Sequence, residues 1–132
     1  MSILGRRIPG TVVAAAAALM VVGALLPVMT TSRVDREVTL VARGMAFYVE
    51  GDDAPNPAIT VKAGETIRVV LKNQDRGMTH DFAVPALDAA MRAIKWNESK
   101  EVTFDVPMTP GTYEYVCNPH RLMMRGAITV VM

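Results

Sequence analysis

The sequence predicts an all-β fold, a β-sandwich of seven or eight short strands, preceded by an N-terminal membrane or signal helix. Three observations predict it. Ile8 to Ser32 is a run of 25 residues without a charge, whereas residues 33–132 hold 25 of the 27 charged side chains. Beyond residue 33, runs of four to eight residues alternate apolar with polar and favour Val, Ile, Thr, Tyr and Phe. Gly, Pro, Asn and Asp punctuate those runs at the spacing of sandwich strands rather than of helices.

The elements follow in order. Arg6 and Arg7 precede an Ala-, Val- and Leu-rich stretch from Thr11 to Leu26 that Pro27 closes. A basic start and an apolar run mark residues 1–32 as a signal peptide or a retained membrane anchor. Val22-Gly23-Ala24 offers a cleavage site, and the uncharged run is also long enough to span a bilayer. Residues 33–132 form the globular domain. Val38–Val41 and Met45–Val49 are strands separated by Arg43-Gly44, and residues 51–57 are a polar loop. Ile59 to Lys62 alternates, Ala63-Gly64-Glu65 turns, and Ile67, Val69 and Leu71 share one face. Residues 73–77 turn again, and His80 to Val84 resumes strand character. In Pro85 to Trp96 the spacing of Leu87, Ala90, Met91 and Ile94 predicts a short surface helix. Val102 to Val106, Thr112 to Cys117 and Ala127 to Val131 complete the sheets, with Thr109-Pro110-Gly111 as a turn.

Composition excludes several classes of function. A net charge of +1 over 132 residues, and −1 over residues 33–132, carries no electrostatic footprint for nucleic acid. One cysteine permits no internal disulfide, four-cysteine zinc site, iron–sulfur cluster or C-x-x-C redox pair. Two histidines permit no histidine-rich catalytic cluster. His80 and Asp81 are adjacent in the chain, no serine sits in a nucleophile motif, and no histidine is spare for a substrate-binding metal. The chain is therefore not read as an enzyme.

The remaining chemistry lies near the C-terminus. Residues 117–124 bring a thiol, an imidazole and two thioethers into eight positions: Cys117, His120, Met123 and Met124. Strand alternation places Tyr113, Tyr115 and Cys117 on one face, and Asn118-Pro119 then turns the chain so that His120 comes round beside the thiol. His80, where a polar turn meets a strand, is the other imidazole available. Thiolate, two imidazoles and a weak thioether form the donor set that selects copper for electron transfer. Zinc would use the same Cys and His but gains little from Met.

These residues resemble the cupredoxins, the small blue-copper proteins. The resemblance covers residues 38–131 and is carried chiefly by Gly-x-Tyr-x-Tyr-x-Cys-x-x-His from Gly111 to His120 and by Met124-Arg125-Gly126. Met45-Ala46-Phe47, residues 59–65, and Asn73 followed by His80 also match. The resemblance implies a Greek-key β-sandwich with one copper ion, Cu(I)/Cu(II), at one end. His80, Cys117 and His120 would be ligands, Met124 the axial ligand with Met123 as the alternative, and Tyr113 the corner tyrosine. Asp81 and Asn118 would stand behind the ligands, Asp81 occupying a place where the family commonly has Asn. His120, Pro119, Leu122 and Met45 would form the patch through which the electron leaves. It further implies an extracytoplasmic, monomeric carrier that docks transiently on a redox donor and acceptor such as a cytochrome or oxidase, and touches the membrane only through an uncleaved leader. Copper storage or delivery is an alternative, favoured by Met45, Met78 and Met123; a metal-free β-sandwich interaction module is another.

Overall fold

A computed structural model describes residues 31–132. The predicted leader lies outside the described residues apart from its last two positions, and among the described residues no helix is long and apolar enough to cross a membrane.

Among the described residues nine strands form two sheets: β1 (Arg36–Arg43), β2 (Ala46–Val49), β3 (Ala58–Lys62), β4 (Thr66–Asn73), β5 (Ala83–Val84), β6 (Ala89–Ala90), β7 (Ser99–Asp105), β8 (Gly111–Val116) and β9 (Arg125–Val131). One sheet has the order β2-β1-β4-β7 and the other β3-β9-β8-β5-β6. Both are mixed. β1 runs parallel to β4, with Leu40 opposite Leu71, and β3 runs parallel to β9, with Ile59 opposite Ile128. Parallel neighbours cannot be joined by a tight hairpin, so the chain passes repeatedly from one sheet to the other.

The alternation read from the sequence sets which side chains meet between the sheets. Along β4, Ile67, Val69, Leu71 and Asn73 are buried while Arg68, Val70 and Lys72 are half-exposed. Ile59 and Val61 of β3 and Ile128 and Val130 of β9 face them from the second sheet. A slip of one residue in any of these strands would turn its apolar set to water. Phe47, Phe82 and Tyr115 fill the middle, all fully buried. Tyr115 stacks on Phe82 at 5.3 Å between ring centroids and meets Phe47 edge-on at 5.5 Å. The Tyr115 ring also lies against Gly126, where any Cβ would collide with it, so the residue opposite Tyr115 in β9 has to be glycine.

Two expectations are corrected. Residues 85–96 form no α-helix: Pro85–Leu87 is a single 3-10 turn, ended by Asp88 in the left-handed region, after which Ala89 and Ala90 pair with Val84 and Ala83. Met91 N–H then donates to Phe82 C=O. Cross-strand partners take the backbone groups that a helix would need, and the helical spacing of Met91 and Ile94 reflects burial in an irregular edge. β6 is thus a strand beyond the seven or eight expected. His80 to Val84 is strand only at Ala83 and Val84, His80 itself making an isolated bridge to Ile94.

Candidate metal centre

The site lies at the end of the sandwich where β4 finishes and β8 meets β9. Asn73, the last residue of β4 and buried, gathers the loop that follows. Its Nδ2 donates to Met78 C=O at 2.8 Å and Ile94 C=O at 3.0 Å, and its Oδ1 accepts from Asp75 N–H at 2.9 Å. Paired backbone bonds between His80 and Ile94 at 3.0 and 2.8 Å then fix the point where His80 enters. On the other side β8 carries Cys117 inward, and Asn118–His120 makes one 3-10 turn. The His120 C=O accepts from Met123 and Met124 N–H, and Cys117 N–H donates to Met124 C=O at 2.9 Å, closing residues 117–124 into a loop held by its own backbone.

This arrangement brings three donor atoms together. Cys117 Sγ lies 3.7 Å from His80 Nδ1 and 3.6 Å from His120 Nδ1, and the three ligand atoms lie within 4.8 Å of one another. The imidazole rings are 4.9 Å apart at 61°. His80 and Cys117 are fully buried and His120 is half-buried. Asp81 fastens the two loops to each other. Its carboxylate accepts from Asn118 N–H at 2.6 Å and Nδ2 at 3.1 Å, while its own N–H points at Cys117 Sγ from 3.5 Å. Asp81 and Asn118 therefore stand beside the thiol and bind each other there. Burial pushes the Cys117 thiol above its ordinary pKa and the Asp81 carboxylate adds to the rise, against the lowering effect of the Asp81 and His120 N–H groups. Such a thiol becomes a thiolate when a cation displaces its proton.

The donors fit a metal. Separations of 3.6–3.7 Å would let one ion, about 2.0–2.3 Å from each donor, be held by the thiol and an imidazole nitrogen together. One thiolate and two imidazoles, with methionines in the same loop, form the donor set of a copper site rather than of a structural zinc site. The two candidate methionines are placed differently: Met124 is fully buried beneath the loop and Met123 is 58% exposed. Leu122, 91% exposed, and Pro119 surround His120 on the surface, whereas Met45 sits half-buried in the β1–β2 turn. Tyr113 OH donates to Thr109 C=O at 3.3 Å, a bond back across its own corner, and Tyr115 OH donates to Pro57 C=O at 2.6 Å.

Two residues of the site were not singled out in the sequence. Asp75 Oδ2 lies 2.9 Å from His80 Nε2. Asn56 accepts from Phe47 N–H through Oδ1 and donates to Met123 C=O through Nδ2 at 2.9 Å, tying β2 to the Cys–His loop. The Asn56–Met123 tie joins residues 67 positions apart, which no local pattern can signal. Asp75 is only five residues from His80, and Asn-x-Asp before a histidine was the one available hint.

Comparison with known proteins agrees with this geometry. Residues 16–130 match the model of the cupredoxin-like domain family. The chain is 32% identical to chloroplastic plastocyanin of Oryza sativa subsp. indica, over 96% of this chain and 78% of that protein. Among solved structures, auracyanin B superposes with a TM-score of 0.61 at 24% identity, covering 76% of this chain and 91% of auracyanin B. The reduced auracyanin of Roseiflexus castenholzii superposes at 0.59 and 23%, covering 74% and 97%. Sandwich topology, converging donors and relatives agree: the chain belongs to the cupredoxins, the blue copper proteins, and its cofactor is copper.

Proposed function

We propose that the protein is a one-electron carrier working outside the cytoplasmic membrane, with His80, Cys117, His120 and axial Met124 holding the ion. The convergence of one thiol and two imidazole nitrogens within 4.8 Å, on loops tied by Asp81, carries this reading. Copper there supplies a Cu(II)/Cu(I) couple. The chain's part is to keep the donors where they are in both states. β8, β9 and the His80–Ile94 bridge fix three directions of approach, and backbone hydrogen bonds fix the loop, so little has to move when charge changes. Met124 rather than Met123 fits the axial role because its side chain is inside the sandwich end and Met123 points to water.

His120 is the ligand nearest solvent, and Pro119, Leu122 and Met123 surround it with apolar surface. A few exposed apolar side chains around one ligand suit a weak, brief encounter with a donor or acceptor such as a cytochrome or oxidase. Met45 is assigned to the same patch on the sequence match; its half-buried place in the turn supports a smaller part. A place outside the membrane is supported by the basic start and uncharged run of residues 1–32, and by the plastocyanin relationship. The domain is proposed to act as a monomer.

Adding Cu(II) to the folded protein is expected to produce an intense visible thiolate-to-copper band that Cys117→Ser abolishes. A folded protein with no such band, or a band that survives in Cys117→Ser, overturns the assignment. Reversible voltammetry with slow loss of Cu(I) to a chelator is expected of a carrier; rapid Cu(I) loss and no reversible wave would mean copper delivery instead.

A further inference from the structure

Behind His80, on the side of the ring away from Cys117, stands the carboxylate of Asp75. His80 presents Nδ1 to Cys117 Sγ at 3.7 Å and Nε2 to Asp75 Oδ2 at 2.9 Å. We propose that Asp75 is a positioning residue that fixes His80 as the Nε2–H tautomer, leaves Nδ1 bare for copper, and places a negative charge behind that ligand which holds the reduction potential down. The proposal rests on the copper reading above and deepens it.

Four features support it. An ionised carboxylate accepts hydrogen bonds and cannot donate, so the ring proton belongs on Nε2. The carboxylate is gripped from elsewhere: Oδ1 accepts from Gly44 N–H at 2.6 Å, and Oδ2 from Met45 N–H at 3.2 Å. Those two residues are the whole turn between β1 and β2, with φ of +55° and +62°. A non-glycine residue is uncommon there, and a turn of this type leaves its central N–H groups without strand partners. Here both are aimed at one side chain. Asp75 is also fixed at its own backbone, through Asn73 Oδ1. His80 is fully buried, so water does not compete for Nε2.

The tip of the β1–β2 hairpin is thus coupled to the metal ligand through one carboxylate. Cu(II) carries one more positive charge than Cu(I), and a fixed negative charge one imidazole away favours the more highly charged ion. Removing that charge while keeping the shape is therefore expected to raise the potential without abolishing the site.

The test uses the full chain and two measurements. In copper-loaded Asp75→Asn the visible band is expected to persist while the ratio of Cu(II) to Cu(I) affinity falls at least about tenfold, a rise of about 59 mV for a one-electron couple. A change of less than twofold with the band intact overturns the proposal. In the metal-free wild-type protein, ring nitrogen NMR is expected to find His80 protonated at Nε2 and bare at Nδ1. A proton on Nδ1, or a mixture of tautomers, overturns it even if the variant does not fold. Absence of the band from wild type as well would instead bring down the copper reading on which the proposal stands.

Discussion

Replacing Asp81 tests whether the two ligand loops are held by one carboxylate. Asp81 is 7% exposed and accepts from both the backbone and the side-chain nitrogen of Asn118. A hydrogen bond to a charged group is worth about 1.5–3 kcal/mol net. The backbone bond at 2.6 Å, between loops 37 residues apart, takes the lower end of that range, and the bond to the exposed Asn118 amide takes about 0.5 kcal/mol. Asp81→Ala in the metal-free protein should therefore lose about 2 kcal/mol. Unfolding entropy of about 2.1 cal/mol/K per residue amounts to about 0.2 kcal/mol/K over the described domain, so the midpoint should fall by about 10 °C. Asp81→Asn keeps one carbonyl oxygen for Asn118 N–H and should fall by about half as much, while also removing a negative charge beside Cys117 and raising the reduction potential. Thermal unfolding followed by circular dichroism, with voltammetry of the copper form, measures both. A midpoint for Asp81→Ala within 2 °C of wild type would refute the claim that Asp81 fastens the loops.

Four further outcomes are expected. Met124→Ala removes a fully buried side chain and should cost about 2–5 kcal/mol in chemical denaturation, against about 0.5 kcal/mol or less for Met123→Ala; Met124→Gln should also move the potential much further than Met123→Gln. Gly126→Ala forces a Cβ into the Tyr115 ring and should destabilise by about 1–3 kcal/mol or more, read as a lower melting temperature. Glu65 accepts from Lys62 N–H and pairs with Arg36; the Lys62 bond, the largest effect, together with Arg36 holds its carboxyl below the ordinary 4.5 against the opposing effect of burial. Its stabilisation is therefore present above that value and lost as pH falls through the lowered one, so Glu65→Gln should be less stable than wild type at neutral pH and converge with it in acid melts. Cys117→Ser should keep the fold and lose the visible copper band.

The strands were legible because each has one face in the core. Ile67, Val69 and Leu71, or Ile59 and Val61, repeat at period two, and burial of that face is what pairs them in register. The stretch from Pro85 to Trp96 was misread for the same physical reason. Leu87, Met91 and Ile94 match a helical period, but the backbone groups of Ala89, Met91 and Ile94 are taken by Val84, Phe82 and His80, partners that a local pattern cannot contain. The Cys–His loop was legible because its donors are close in sequence and its composition is unusual.

By itself the sequence determined the fold class, the copper family and three converging ligands, since alternation, turn residues and scarce cysteine and histidine are properties of short segments. Only the tertiary structure decided the rest. It buried Met124 and exposed Met123, joined Asp81 to Asn118, brought Asn56 to Met123, and set Asp75 between a hairpin turn and His80. These distinctions depend on which distant backbone and side-chain groups share a buried volume, where an unpaired donor or charge is costly and each must find a partner.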